Sequence, residues 1–447
     1  MYKNNIQSVS DAYLCSACGG CKTICGHQAI SFRESTIGRR YAVVGETCTG
    51  CGLCRQVCPS LTLETTRPKD VQDKYVGTIK NVYIGRATDN AIYSNAQSGG
   101  VCTALLTHLF DTEAIDGAIV VRMDYGPVPQ VRGVLVTSSQ ELAATQKSCY
   151  TPVDLLSVLI DSRTLRSVAI VGLPCHLEAV ENLQRVAANR FANISYRIGL
   201  ICDRTFCGGI QDVICRYADQ NTGVKIKWRD KSEKRIPTSK KNQRPFEQAP
   251  LVICNELGEK IVLDRYICIV LKDLFTPPRC RICHDKLNIF SDITLGDPWE
   301  MSGVDWEHGD NLILTRTEKG ENLLISAVEC GQVRISVADK EEMLRGQGID
   351  RRRRSVSCYG RAYREMPFAL EEASIVCETD SVEDFERERQ SLLRFVEHET
   401  MTKDMIYSLA IGIIQDYERN QRLSRRIWRK VKKILKRLGN NIHLYTI

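Results

Sequence analysis

Long apolar runs are missing from this 447-residue chain. The longest candidate, Met405 to Ile414, falls well short of the roughly 20 residues a spanning helix needs and follows the charged pair Lys403 and Asp404. No spanning segment is expected, and the polar stretch Met1 to Ser10 predicts no secretory leader. Histidine is scarce, at seven residues, and no histidine, serine or carboxylate arrangement points to hydrolysis. Most of the chain also lacks a charge excess. The net +7 comes from residues 401–447, where eleven Lys or Arg face three acidic residues, and the rest is near neutral. A nucleic-acid partner is therefore not expected. On length alone, two to four domains are expected.

Cysteine is abundant, at 21 residues. Disulfide scaffolds are normally short and secreted, so this count predicts metal clusters in a reducing cytoplasm. Eight cysteines fall in two runs of identical spacing, Cys15, Cys18, Cys21 and Cys25, then Cys48, Cys51, Cys54 and Cys58 followed by Pro59. Each run reads Cys-x2-Cys-x2-Cys-x3-Cys. Three thiolates of such a run wrap one cubane while the fourth reaches across to the other. Soft thiolates select iron-sulfur or zinc, and two matched sets of four with the trailing proline favour two [4Fe-4S] clusters. The crossed assignment puts Cys15, Cys18, Cys21 and Cys58 on one cluster and Cys48, Cys51, Cys54 and Cys25 on the other. The insert between the runs predicts a hairpin around Gly38.

Further on, strands alternate with helices. Val82–Ala87, Ile115–Arg122, Gly133–Thr137, Ser167–Gly172 and Asn193–Cys202 read as strands, and Leu155–Ile160 as a helix. Ser98, Gly99, Gly100 and Val101 make a glycine-rich turn opening a helix with apolar positions Val101, Leu105, Leu106 and Leu109. Such a turn can cradle a phosphate or a flavin diphosphate on its backbone amides, and it can equally be an ordinary tight turn before a core helix. Lys225 to Pro250 is polar and basic and reads as an exposed loop or insertion. Leu251–Leu263 reads as a hairpin turning at Glu256 to Glu259, and Tyr266–Phe275 as a helix.

Cys175 and Cys202 stand at the ends of two predicted strands, and Cys280 and Cys283 form a Cys-x2-Cys pair. In open α/β sheets ligands bind at the carboxyl ends of strands, so these four are candidates for a third [4Fe-4S] cluster. Cys207 competes with Cys202, and zinc or uncoordinated thiols would also account for the pair. His176, beside Cys175, reads as a surface histidine or one behind the ligands.

The order of these motifs resembles the family of coenzyme F420 hydrogenase/dehydrogenase beta subunits. The resemblance runs from the cysteine runs through Ser98-Gly99-Gly100-Val101-Cys102-Thr103-Ala104-Leu105 and Lys147-Ser148-Cys149-Tyr150. It continues through Val171-Gly172-Leu173-Pro174-Cys175-His176, Leu200-Ile201-Cys202, and Cys280-x2-Cys283 leading to Ser291-Asp292-Ile293-Thr294-Leu295-Gly296-Asp297. It covers residues 12 to about 300. What it implies is an iron-sulfur flavoprotein oxidoreductase in which FAD exchanges a hydride with an F420-like deazaflavin or other small carrier. Electrons then pass singly through clusters to a redox partner protein or ferredoxin. It also implies the third cluster, and flavin contacts at Ser98, Gly99, Gly100 and Val101 together with Lys147, Ser148 and Tyr150. A non-catalytic electron-transfer protein is the other reading, and relatives associated with cell-surface polysaccharide synthesis suggest a reductase there.

The expected fold is α+β or α/β: a bacterial-type two-[4Fe-4S] ferredoxin module fused to a mixed α/β flavin-binding domain and a helical basic C-terminal tail. The divisions are 1–62 ferredoxin, 63–94 linker, 95–335 flavin and cluster domain, 336–400 helical extension, and 401–447 basic amphipathic tail. Arg351 to Arg354 reads as a solvated basic face. Within 419–438, ten basic residues beside Trp428 suggest a peripheral contact with the inner face of a membrane or with an acidic partner.

Overall fold

The computed structural model describes residues 4–61, 73–220, 223–233, 249–378 and 385–437, with side chains described as far as 420. Two antiparallel strands in the first sixty residues, β1 (Ile30–Glu34) and β2 (Arg40–Val44), form the expected hairpin. Its turn needs glycine. Gly38 has φ +77°, and a Cβ there would lie 2.2 Å from the backbone nitrogen of Gly209.

The chain continues with β3 (Asn81–Ala87), β4 (Gly117–Asp124), β5 (Gln130–Val136), β6 (Val168–Gly172) and β7 (Ile194–Leu200). After these come β8 (Val224–Lys227), β9 (Leu251–Asn255), β10 (Lys260–Leu263), β11 (Ile293–Gly296), β12 (Asn311–Thr315) and β13 (Val333–Val337). Eight of them build one mixed sheet in the order β13-β3-β12-β11-β7-β6-β4-β5. Its centre, β4, β6, β7 and β11, is parallel, and the flanking pairs are antiparallel. Every residue of β6 is buried, as expected for a parallel strand covered on both faces. In register, Ile198 stands opposite Val171 on one side and Ile293 on the other. β3 falls inside the 63–94 stretch expected to be a linker. It pairs with both β12 and β13, so that part of the stretch is sheet.

Helices Val101–Asp111 and Glu318–Glu329 cover one face through Leu105, Leu109, Leu323 and Leu324. Helix Pro174–Val186 and the short 3-10 turn Leu155–Ile160 cover the other through Leu156, Leu177, Val180 and Leu183. Ile24 and Val57 of the cysteine-rich module belong to this second cluster. Leu156 N donates to Cys18 O at 3.0 Å, Thr23 Oγ1 donates to Leu156 O at 2.6 Å, and Arg190 donates to Thr23 O and Ile24 O. The module is thereby fixed on the turn Leu155–Ile160 and on Arg190, which follows helix Pro174–Val186.

A smaller antiparallel sheet, β10-β9-β8, packs with helices Gly209–Tyr217 and Tyr266–Phe275. Ile406, Ala410 and Ile414 of the long helix Lys403–Arg437 are buried in the same cluster. The start of the expected amphipathic tail is therefore core-forming. The basic stretch 419–438 lies, beyond residue 420, outside the described side chains. Among the described residues no helix is long and apolar enough to cross a membrane.

Candidate redox site

Twelve of the cysteines gather into three groups. The thiols whose charge acts on Cys21 are Cys18, Cys15, Cys58 and Cys54, and those acting on Cys58 are Cys18 and Cys15. Burial, reinforced by these neighbours, raises both thiols above their ordinary value, and holds Cys18 up at about 11. Cys25, Cys48, Cys51 and Cys54 line one small hollow with Asn5 and Ala29. Cys58 thus stands near the first run and Cys25 beside the second. Backbone amides of Ala17 and Ala42 donate to Cys15 Sγ, and that of Ala29 to Cys25 Sγ, each at 3.4 Å. Such donors stabilise thiolate charge.

The third group is Cys175, Cys202, Cys280 and Cys283. Cys175 begins helix Pro174–Val186 directly after β6, and Cys202 lies two residues past β7, so parallel strands deliver both to one sheet edge. Burial, then Cys18, Cys202, Cys283 and Cys280, pushes the Cys175 thiol well up, so this group also neighbours the first. Cys202 is raised likewise, by burial and by Cys280 and Cys283. Half-buried thiols crowded in this way bind as thiolates when a cationic core compensates their charge. Arg352 clamps the segment, its guanidinium donating to the carbonyls of Cys283, Cys280 and Asp203 at 3.0 to 3.2 Å. A cubane takes each thiolate on a separate iron and needs wider spacing than one ion. Among the described residues, no three His, Cys, Asp or Glu side chains are placed to hold a metal ion. Cys207, the competitor of Cys202, is fully buried in the apolar cluster with Ile37 and Phe275.

Between the first and third groups lies Arg279, 4% exposed. Its Nη2 donates to Pro59 O at 3.2 Å, while Nε and Nη1 are buried with no hydrogen-bond partner. Despite burial, Cys283, Glu178, Cys175 and Cys58 hold it charged. Glu178 is also buried, and that burial raises its carboxyl to about 8 against the pull of Arg279.

Cys202 and Cys280 line a cavity of about 1440 Å³ that also receives Ser98, Gly100, Lys147, Ser148 and Tyr150. Gly100 has φ +78°, and a Cβ on Gly99 would lie 2.7 Å from Asn311 N and Gly85 O, so both glycines are required by the turn. Ser98 Oγ donates to Asp297, and Arg229 bonds both, with Nη2 3.0 Å from Ser98 Oγ and Nη1 2.9 Å from Asp297 Oδ2. Lys231 Nζ donates to Ser98 O at 2.7 Å. Lys147 and Tyr150 adopt positive φ, +82° and +50°, a conformation unfavourable for such residues and concentrated at functional sites. The Tyr150 ring stacks on Phe206 and lies 5.5 Å from Trp228, whose buried Nε1 has no partner. An aromatic wall, an unmet indole donor and cations Lys147, Arg229 and Arg265 fit a flavin ring and a diphosphate. The N–H of Val101 is occupied, since it donates to Asn311 Oδ1 at 3.2 Å.

Arg229, Trp228, Asp297 and Asn311 were not picked out by sequence reasoning. Asp297 ends the Ser291–Asp297 motif and was the one available signal. Trp228 and Arg229 sit inside Lys225–Pro250, expected as an exposed loop. Of its described residues, 225–227 belong to β8, and Trp228, Arg229 and Asp230 are buried. Asp230 is accommodated by Lys227 at 2.8 Å and Lys147 at 3.5 Å, so the charges of this stretch are paired inward. Residues 234–248 lie outside the described set. His176 is a correction of the surface alternative, while the position behind the ligands is not contradicted. It is buried, accepts from Leu173 N on Nδ1 and faces Val153 O with Nε2, which fixes a neutral ring. Burial lowers its pKa to about 4.

These features coincide with known sequence families. Residues 14–61 match the 4Fe-4S dicluster domain. Residues 82–160 match the N-terminal part, and residues 165–341 the C-terminal part, of the coenzyme F420 hydrogenase/dehydrogenase beta subunit. The chain belongs to the family of coenzyme F420 hydrogenase/dehydrogenase beta subunits, with an N-terminal dicluster domain. It is 27% identical over 341 residues to the coenzyme F420-dependent sulfite reductase of Methanocaldococcus jannaschii, covering 72% of this chain and 47% of that protein. The match thus spans about half the length of that relative. It is 25% identical over 267 residues to the beta subunit of the coenzyme F420 hydrogenase of Methanosarcina barkeri, covering 58% of this chain and 83% of that protein. The fold is shared with a chain of the F420-reducing [NiFe] hydrogenase complex from Methanosarcina barkeri, at TM-score 0.52 and 21% identity over 68% of this chain and 99% of that one.

Proposed function

We propose that this chain is a cytoplasmic iron-sulfur flavoprotein oxidoreductase, exchanging electrons between a small hydride carrier at FAD and a redox partner protein through three [4Fe-4S] clusters. The carrier is an F420-like deazaflavin or a related molecule. The observation that carries this reading is the single cavity shared by Ser98 and Gly100 of the glycine-rich turn, Lys147, Tyr150 and two thiols of the third group, Cys202 and Cys280; Gly99 and Val101 do not line it. The remaining two, Cys175 and Cys283, look toward Arg279, and Cys175 toward Cys18. When bound, FAD would supply two-electron acceptance with one-electron release, and the clusters single-electron carriage.

The chain's own residues then divide the work. Arg229, held by Asp297, and Lys147 offer positive charge to a diphosphate. Tyr150, Phe206 and Trp228 wall one side of the ring site and exclude water. Cys15, Cys18, Cys21 and Cys58 would hold the inner cluster, and Cys25, Cys48, Cys51 and Cys54 the outer one. Cys51 is exposed, which favours an exit to a docked ferredoxin or other redox partner at that point. Relatives named as beta subunits of a coenzyme F420 hydrogenase and of an F420-dependent formate dehydrogenase support a second arrangement, in which the chain passes electrons to a separate catalytic protein.

Anaerobic purification with iron, sulfide and flavin quantitation tests the proposal. About twelve irons and one FAD per chain, the content of three cubanes, are expected. About eight irons without flavin would leave an electron-transfer protein and refute the flavoenzyme.

A further inference from the structure

Past residue 341, where the family match ends, positive charge concentrates at two places. One is Arg351–Arg354, expected as a solvated face, and the fold uses half of it. Arg352 holds the Cys280–Cys283 backbone, and Arg353 pairs with Asp73 and Glu378. The other is residues 419–437, with ten Lys or Arg and no Asp or Glu, in a chain whose first 400 residues are near neutral.

Helix Lys403–Arg437 runs without a break through this second stretch. Its first half is anchored to the body of the protein. Ile406, Ala410 and Ile414 are buried in the cluster of the smaller sheet, Tyr417 stacks on Tyr266 with ring centroids 4.8 Å apart, and Glu418 accepts from the hydroxyls of Tyr217 and Tyr266. Glu418 is the last acidic residue of the chain. Beyond it the helix continues to Arg437, a further length of about 28 Å at 1.5 Å per residue.

The sequence divides this outer half into two faces. At about 100° per residue, positions Leu423, Ile427, Trp428, Val431, Ile434 and Leu435 fall within an arc of about 140°. All ten cations fall within an arc of about 160° on the opposite side. No cation interrupts the apolar arc, and Trp428 stands at its edge, the place for a residue with one apolar and one wet end. A nucleic acid would engage the cations and leave the apolar row in water. An acidic protein would need an apolar groove walled by negative charge along the whole length of the helix. An anionic bilayer surface offers both to any helix lying in its plane, with acyl chains beneath one arc and headgroup phosphates beside the other.

We propose that residues 419–437 dock this chain on an anionic phospholipid surface, with the apolar arc entering the headgroup boundary and the cations meeting lipid phosphates. The anchored half, Ile406 to Glu418, ties the redox domains to that surface. The proposal stands apart from the flavin and cluster readings.

The test is vesicle flotation of anaerobically purified full-length protein, with iron and flavin content measured on each sample. Binding to mixed phosphatidylglycerol and phosphatidylcholine vesicles, weaker by at least about tenfold on pure phosphatidylcholine and falling with added salt, supports the docking. Lys432→Gln/Lys433→Gln/Lys436→Gln should weaken it by at least about tenfold, and so should Ile427→Ser/Val431→Ser, which leaves the charge unchanged. Tryptophan emission should shift to the blue on binding, and Trp428→Phe should abolish that shift. Failure to float with the anionic vesicles overturns the proposal. Full binding by Ile427→Ser/Val431→Ser overturns it as well, since charge alone would then suffice. Tighter binding of an oligonucleotide or of polyglutamate than of the vesicles names a nucleic acid or an acidic protein instead. Unchanged iron in the variants shows that the fold survives. Low iron or absent flavin in the wild type counts against the proposed function and leaves the docking intact.

Discussion

The guanidinium of Arg279 donates to the carbonyl of Pro59, the residue after Cys58, at 3.2 Å inside the protein. One bond ties the segment carrying Cys280 and Cys283 to the end of the dicluster domain's second cysteine run. Two further nitrogens face no hydrogen-bond acceptor, an arrangement that costs stability unless negative charge lies nearby.

Arg279→Gln should therefore lower the reduction potentials of the two proposed clusters that its charge would lie between, because reduction adds negative charge there. EPR-monitored redox titration reads this. Arg279→Lys should recover part of the shift, whereas a merely structural role would leave all potentials where they were.

The crossed cysteine sets can be separated by single substitutions. Cys25→Ser should damage the outer cluster, with Cys48, Cys51 and Cys54, and leave the inner signal in EPR. Cys58→Ser should do the reverse. Cys207→Ser should keep all the iron and Cys202→Ser should lose about four atoms, the content of one cubane. Equal iron loss from Cys202→Ser and Cys207→Ser would remove the third assignment.

Gly38→Ala should weaken the docking of the hairpin on Gly209. Close approach to backbone leaves nothing flexible to yield, so overpacking of roughly 1–3 kcal/mol adds to about 1 kcal/mol for the left-handed conformation. Thermal unfolding would show it, and a Tm equal to wild type would count against the contact.

Lys231 gives a pH signature. Burial, then the cations Lys147, Arg86 and Arg229, lower its pKa from 10.5 to about 8. Between those values the folded chain holds fewer protons than the unfolded one, so this group's contribution to stability rises with pH across the window and is flat below 8. Discounted for partial exposure, the gain is about 1–2 kcal/mol. Comparing wild type with Lys231→Met by urea unfolding at pH 7.5 and 10 isolates it. No difference in slope would show that Lys231 keeps its ordinary pKa.

The two cysteine runs were legible because their spacing is a local code: three ligands of each set lie within seven residues. The third set draws Cys175, Cys202 and Cys280 from far apart, and only the strand-end rule and a family resemblance brought them together. Arg229 and Asp297 meet across 68 residues, a distance at which periodicity carries no information. β8 was masked by its own composition, since alternation in Val224–Lys227 puts lysines outward and resembles a charged loop until its partner β9 is known. The start of helix Lys403–Arg437 misled for the opposite reason. Its basic end dominates the composition, whereas Ile406, Ala410 and Ile414, whose spacing of four suits a packed face, are core.

The suture at Leu156, whose N donates to Cys18 O and whose O accepts from Thr23 Oγ1, has a kinetic corollary under the proposed function. If the proposed clusters sit on its two sides, they keep one separation, and electron passage between them is expected to be a fixed-gap tunnelling event with no diffusive search. Viscogens, which slow encounters between molecules, would leave that internal hop unaltered and slow only arrival and departure at the exposed end near Cys51.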